Sequence, residues 1–410
     1  MKLALRTVPE DFQVSEEIGL ACCDGPYALY RIRKVGVGTP ELLAALSKRW
    51  GVRPERIAWA GLKDRHAVAT QYITILHGPR RSLQQARISV EYVGQTDRAI
   101  RPDDILANTF RIVVRKLTRR RADELRRRLE QAAARGWPNY FDEQRFGSLG
   151  FPDAFVAEAW CLGQYERALW LALAAAYRHD TSRERMEKQW LRLAWGRWDE
   201  LSGLSHPIRR RVVRYLAEHP GDYRHAFALI PVTLRRIYLS AFQSYLWNAL
   251  ASCWLEHRLE GQPVRWLEVA GQSLAVPDWQ AELPAAGDLA TAIPLPSARS
   301  WPSEPWLEAK LDELLKLRGL ERRQLRVKYP RDSFFSRTER AVWVKPVSFD
   351  QHVEPDQLHA GRRALVVDCQ LPRGAFATLV LRYASMEDSG TSPAQEKTLP
   401  VSPTATSNGP

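Results

Sequence analysis

The stretch "AGLKDRHAVATQ" (60–71) places one acid, Asp64, between Lys63 and Arg65, with His66 next and the β-prone "YITIL" directly after. Cations that stay beside a carboxylate favour its charged form through Coulomb attraction. An ionised carboxylate suits a nucleophile or an electrostatic stabiliser better than a general acid. The apolar "IAWAGL" before it reads as a strand that ends at Gly61, one way to present a polar side chain at a sheet edge. The same residues also read as a solvated turn where opposite charges collect for solubility.

A second stretch, "GWPNYFDEQRFG" (136–147), interleaves Trp137, Tyr140, Phe141 and Phe146 with Asn139, Asp142, Glu143, Gln144 and Arg145. Rings stack on an unstacked base, amides read its edges, and arginine holds phosphate. An aromatic core strand edged by surface charge has the same composition. The Arg-rich runs "RRRADELRRR" (119–128), "RRRVVR" (209–214) and "ERRQLRVK" (321–328) track phosphates or form solvated helix faces. The whole chain favours polyanions, since 60 Lys plus Arg stand against 47 Asp plus Glu, a formal charge of +13.

Other chemistries find no support. "VGVGTP" is not G-x-G-x-x-G, and there is no H-E-x-x-H, G-x-S-x-G or C-x-x-C. The cysteines, Cys22, Cys23, Cys161, Cys253 and Cys369, are odd in number and scattered, as free thiols in a reducing compartment would be. An enzyme built this way works without metal or bound coenzyme. The start, "MKLALRTVPEDF", has no apolar region long enough for a signal peptide. The apolar run "ALWLALAAAY" (168–177) is about half the ~20 residues needed to span a bilayer, so it reads as a buried helix. The expectation is a cytoplasmic protein without membrane contact.

The elements that must position these residues begin as strand-rich α/β. "DFQVSEE" (11–17), "YALYRIRKV" (27–35) and "FRIVVRKL" (110–117) read as strands. "GTPELLAALSKRWG" carries a helix with Thr39 as N-cap, and "TRRRADELRRRLEQAAARG" one capped by Thr118 and ended by Gly136. From about 153 to 220 the texture is helical, and a further helix spans 233–259. Strand character returns at "RAVWVKPV" and through "GRRALVVDCQLPRGAFATLVLRY" (361–383), before a polar tail. Strands, then helices, then strands suggest an insertion within one strand-based domain. The 45% hydrophobic content of 410 residues is ample for two domains.

Taken in order, "PEDFQVSE" (9–16), "AGLKDRHAVATQ" (60–71), "LANTFRIVVR" (106–115), "PNYFDEQRFG" (138–147), "YLSAFQSYLWN" (238–248), "GDLATAIPLP" (287–296) and "LPRGAFATLVLR" (371–382) are similar to the motifs of one family. The sequence resembles the TruD family of transfer-RNA pseudouridine synthases over most of its length. The resemblance implies an α/β (α+β) pseudouridine synthase fold with a mixed, largely antiparallel sheet and a large inserted α/β TRUD domain. It would divide the chain into a catalytic domain of residues 1–152 and 333–387, an insertion of 153–332, and a disordered tail of 388–410.

The resemblance also implies the reaction, isomerisation of the uridine at position thirteen in the D-arm of tRNA, by a monomer with no cofactor or metal. The catalytic aspartate falls on Asp64, which attacks C1′ or removes the 2′ proton. Phe141 would stack on the flipped uracil and Asn139 would hydrogen-bond near it. Lys63 and Arg65 would hold Asp64 ionised. Arg6 stands where the family has lysine, Asp142 where it has glycine, and Tyr383 where it has glutamate. The alternative of another class is a non-catalytic RNA-binding protein or tRNA folding chaperone, with the same basic surface and no chemistry.

Overall fold

The computed structural model describes residues 3–61, 63–147, 154–177 and 180–386, so the tail expected to be disordered lies outside the described residues. The first strands are β1 (Phe12–Ile18), β2 (Tyr27–Val35), β3 (Ile57–Trp59), β4 (Val68–Leu76), β5 (Leu83–Gln85), β6 (Ile88–Thr96) and β7 (Ile105–Leu117). They join the late strands Ser348–Pro355 and Arg363–Pro372 in one nine-stranded sheet, which both ends of the chain therefore build. The sheet is mixed as expected: β1 pairs parallel with β4, and the other pairings are antiparallel.

That one parallel pairing positions the first motif. Gln13 aligns with Val68 and Val14 with Ala69, so β1 and β4 start at the same edge of the sheet. The segment that enters β1 therefore lies beside the loop that enters β4, and Arg6 comes next to Asp64 although 58 residues separate them. A buried network fixes the entering segment. Arg115 of β7 reaches Asp11 at 2.7 Å and Asp356 at 3.0 Å, with both carboxylates fully buried.

The helix α1 (Thr39–Trp50) covers β2, β3, β4 and β6 by burying Leu42 and Leu46, one turn apart, against Tyr30, Ile32, Ile73 and Ile75. Each such leucine contributes roughly 2 kcal/mol. The helix α2 (Arg119–Arg135) starts on Thr118, whose hydroxyl accepts from the Arg121 N–H as expected. It buries Leu125 and Leu129 in a core that runs on into the helical segment. The helix expected across 233–259 spans Val232–Arg258 and is buried on most of its faces. Its Gln243, Trp247 and Asn248 bond to the backbone at Pro296, Ile293 and Phe141, so it ties the helical segment to the second motif. No described helix is long and apolar enough to cross a membrane.

Two expectations need correction. The run after Gly374 is not strand but helix, Ala377–Ala384. Leu379, Val380, Tyr383 and Ala384 recur at helical spacing, and all are buried. Thr39 is the first helical residue rather than the cap, which is Gly38. Its hydroxyl instead accepts from the Lys63 N–H at 3.0 Å and donates to Gln71 at 2.9 Å. Thr39 thus serves the loop that carries Asp64.

Gly136 ends α2 with φ +84, and a Cβ there would lie 2.7 Å from the Val344 carbonyl oxygen and closer still to the Trp343 indole nitrogen. Gly136→Ala therefore combines left-handed strain with overpacking, and should lower unfolding stability by about 3 kcal/mol. A urea unfolding midpoint equal to wild type would show that this turn opens without cost.

Candidate active site

The described residues of the loop between β3 and β4 form no regular secondary structure, so their backbone groups need partners from side chains. Lys34, on β2, supplies most of them. Its ammonium donates to the carbonyls of Val37 at 2.7 Å, Lys63 at 3.2 Å and Asp64 at 2.7 Å. Lys34 is completely buried, in phase with the inward-facing Ala28, Tyr30 and Ile32. Burial pushes its pKa down to about 8, partly opposed by the nearby charge of Asp64.

The cations flanking Asp64 in sequence do not reach its carboxylate. Lys63 turns inward, to Glu16 at 3.1 Å and Asn108 at 2.6 Å. Glu16 occupies the inward phase of β1 after Phe12 and Val14, and burial raises its pKa against the opposing effect of Lys63. Its second oxygen accepts from the Tyr72 N–H at 2.9 Å. Arg65 turns outward and pairs with exposed Glu41 at 3.1 Å. The expectation that these two neighbours hold Asp64 ionised is thus replaced: alternation along the loop sends their side chains elsewhere.

Arg6 takes that position. Its guanidinium lies 2.7 Å from Oδ2 of Asp64, whose side chain is 18% exposed. The guanidinium also sits 4.2 Å from the centroid of the Phe12 ring, and Phe12 packs edge-on against Phe110. Arg6 has φ +60, a left-handed backbone that costs a non-glycine residue ~1 kcal/mol or more and marks a constrained position. The Gln144 amide donates to Oδ1 of Asp64. Asp64 is therefore held by one cation and one amide.

Asn139 and Phe141 lie in a different layer. Phe141 is only 4% exposed. The Arg340 guanidinium lies 4.0 Å from its ring centroid, Arg145 lies 5.0 Å away, and Trp247 and Phe376 pack against it edge-on. The ring is not an open platform for a base. Asn139 fixes Arg340 through its carbonyl and its side-chain oxygen, both at 2.7 Å. Asp142 has φ −91, an ordinary backbone, so no strain attends it. Its carboxylate accepts from the Glu143 N–H, Thr378 and Arg382, which clamps the motif to the C-terminal helix. Tyr383 is buried, donates to the Pro277 carbonyl at 2.7 Å and stacks on Trp279.

Sequence reasoning missed Lys34, Glu16, Asn108 and Arg340, and it placed Gln144 in the second stretch without its contact to Asp64. The first two had a signal: an ionisable residue at an inward position of an alternating strand. Arg340 had none, because its place depends on contacts across 201 residues of chain. Among the described residues no three His, Cys, Asp or Glu side chains cluster as metal ligands would.

Comparison with known proteins gives this arrangement a context. The family profile for tRNA pseudouridine synthase D (TruD) matches residues 1–384. The tRNA pseudouridine synthase D of Aquifex aeolicus is 26% identical over 406 residues, 95% of this chain and 99% of that one. A Methanococcus maripaludis protein assigned as tRNA pseudouridine synthase D 1 is 31% identical over 257 residues, 60% of this chain and 64% of its own length. The crystal structure of a Methanosarcina mazei protein assigned as TruD shares the fold, with a TM-score of 0.62 over 92% of each chain at 24% identity.

The Lys34 clasp yields a pH signature. The folded pKa is about 8 and the ordinary lysine value 10.5, so between these limits the unfolded chain binds more protons and stability rises with pH. In urea unfolding at pH 7.5 and at pH 10, wild type should gain stability relative to Lys34→Met, by up to a few kcal/mol. Parallel pH responses of the two proteins would sink the claim that a buried ammonium holds the loop.

Proposed function

We propose, from the premise that the chain belongs to the TruD family, tRNA pseudouridine synthase D, that it converts uridine to pseudouridine in tRNA, at position thirteen of the D-arm, with Asp64 as the reacting carboxylate. The observation that carries this reading is the 2.7 Å contact between Arg6 and Asp64 at the tip of a loop clasped from beneath. An accessible carboxylate with a single cationic partner is what attack at C1′, or removal of the 2′ proton, requires. A non-catalytic RNA binder has no use for an acid facing phosphates.

The target nucleotide leaves its stack to reach Asp64. The exposed Gln144 amide moves aside and frees Oδ1 for the sugar. The N1–C1′ bond breaks with its electron pair left on the uracil, as Asp64 bonds to C1′ or takes the 2′ proton. The uracil turns and C5 bonds to C1′ as the Asp64–C1′ bond breaks or the 2′ proton returns, then the C5 proton departs to solvent and N1 takes up a proton. Arg6 supplies the counter-charge to Asp64 before that charge is spent. Lys63 fixes the loop through Glu16, and Arg65 at the rim reaches the RNA backbone. Phe141 and Asn139 hold the Arg340 and Arg145 wall beside the base. Residues 1–152 and 333–387 would carry the chemistry, and 153–332 would grip the rest of the RNA. Five free thiols suit a reducing, cytoplasmic setting, where the enzyme acts as a monomer without metal or coenzyme.

Transfer RNA carrying tritium at uridine C5 tests the assignment. Wild type should release label to water, and Asp64→Asn should release it about a thousandfold more slowly or not at all. Equal release by both proteins would remove Asp64 from the chemistry. Arg6→Lys keeps the charge but loses the planar fork and the ring contact, and should retain a rate within about tenfold of wild type, whereas Arg6→Ala should fall well below it. Equal rates for the two Arg6 variants would mean that the cation is not needed. Binding should also weaken steeply with salt as counterions are released. A flat salt response would contradict phosphate contact.

A further inference from the structure

One rule holds for several arginines in the interior of this protein: each meets a carboxylate. Arg115 pairs with Asp11 and Asp356, Arg209 with Glu187, Arg235 with Asp332 and Arg382 with Asp142. The rule has a physical basis, since a cation withdrawn from water needs an opposite charge to offset its lost hydration. Arg145 and Arg340 have none: among the described residues neither meets a carboxylate.

Their existing contacts are all neutral. Arg340 donates to the carbonyls of Asn139 at 2.7 Å, Tyr140 at 3.3 Å and Gly374 at 2.9 Å, and to the Asn139 side-chain oxygen. Arg145 donates to the Ser240 hydroxyl at 2.9 Å, and its buried Nε has no partner. Both guanidiniums lie against the one ring of Phe141, at 4.0 and 5.0 Å from its centroid. Burial lowers the pKa of both, and the charge of Arg145 lowers that of Arg340 further. Two like charges, pinned by neutral groups and packed on a shared ring, lack one component, which is an anion.

Their place in the chain says where that anion comes from. Arg145 follows Gln144, whose amide touches Asp64, in one short helical turn. Ser240 and Gly374 fall in two more of the ordered motifs, so three separated segments converge on the pair. We propose that Arg145 and Arg340 form a binding site for one phosphodiester of the RNA, close to the nucleotide that Asp64 acts on. Guanidinium forks bind phosphate oxygens in pairs, and the outer N–H groups of Arg145 are free to do so. The Phe141 ring keeps both forks oriented by cation–π contact. This site rests on the RNA substrate of the proposed function, but not on the chemical step at Asp64.

The test moves a single neutral methylphosphonate linkage through the D-arm of a tRNA transcript, one position at a time. Dissociation constants are measured for the full chain, as wild type and as Arg145→Gln. At one position or two adjacent positions the neutral linkage should weaken wild type about tenfold or more. The same linkage should leave the already weakened Arg145→Gln nearly unaffected, because the partner it removes is gone. Arg145→Lys should recover part of the response as a point charge, and the slope of affinity against salt should fall by about one in Arg145→Gln. Apart from its contact with the Phe141 ring, Arg145 holds only Ser240, so its removal leaves the fold intact, which circular dichroism verifies. If every linkage costs both proteins equally, the phosphate site is overturned. Weaker binding by Arg145→Gln with no special linkage would assign the pair to the base instead, and would overturn it too. Tritium release from the unmodified transcript is followed separately. Its absence would sink the proposed reaction, while the binding comparison would still decide the phosphate site.

Discussion

The loop that carries Asp64 depends on one buried ammonium. Three carbonyls, of Val37, Lys63 and Asp64, converge on Lys34 beneath a segment that no strand or helix could satisfy. Leaving one such carbonyl unpaired and out of water costs ~1–3 kcal/mol. Lys34 satisfies all three because an ammonium has three donors and no acceptor. The desolvation that lowers its pKa is the cost of that arrangement, and the charge of Asp64 returns part of it. With its backbone held from below, the loop directs alternate side chains to fixed destinations: Lys63 to Glu16, Asp64 to Arg6, Arg65 to Glu41.

The sheet determines who meets the loop. In an all-antiparallel arrangement the segment before β1 would lie at the far edge from the loop before β4. The single parallel pairing puts both at one edge, and the Arg115 network with Asp11 and Asp356 keeps the entering chain there. The pairing ends at Ser15 and Thr70, and the Glu16 carboxylate takes over by accepting from the Tyr72 N–H. A buried acid thus serves twice, as a ladder partner and as the counter-charge of Lys63. Arg6 is drawn into a left-handed backbone because the gain on Asp64 and Phe12 outweighs the local strain.

Much of this was legible in the sequence, where local rules govern. The strands β1 and β2, the caps of α2 and the long helix followed from periodicity and capping residues. The ordered motifs picked out Asp64 and Arg6, which the structure brings together. What was not legible depends on neighbours distant in the chain. Lys63 and Arg65 looked like partners of Asp64 because sequence shows adjacency, not direction. Phe141 looked like an open ring because composition does not show what covers it. The terminal "ATLVLRY" is β-prone in composition but helical in spacing, and packing against α2 settled the matter. Lys34 and Glu16 were visible as breaks in strand alternation, and a charge on an inward phase is the signal to look for.

The charges around Asp64 are unevenly balanced, and that imbalance would solve a problem inherent in the proposed chemistry. A carboxylate that must approach a polyanion is repelled by it, by about 1 kcal/mol per phosphate at 4 Å even in water and more in a shielded cleft. At the loop the cations are already matched: Lys63 by Glu16, Arg65 by Glu41, Arg6 by Asp64, Lys34 by carbonyl dipoles. They add little attraction of their own. The unmatched positive charge lies in the Phe141 wall, at Arg145 and Arg340. On the proposed function, a polyanion would lower its energy by placing phosphate on the wall rather than on the loop. The carboxylate would then be left facing sugar, the part of a nucleotide on which the proposed reaction acts.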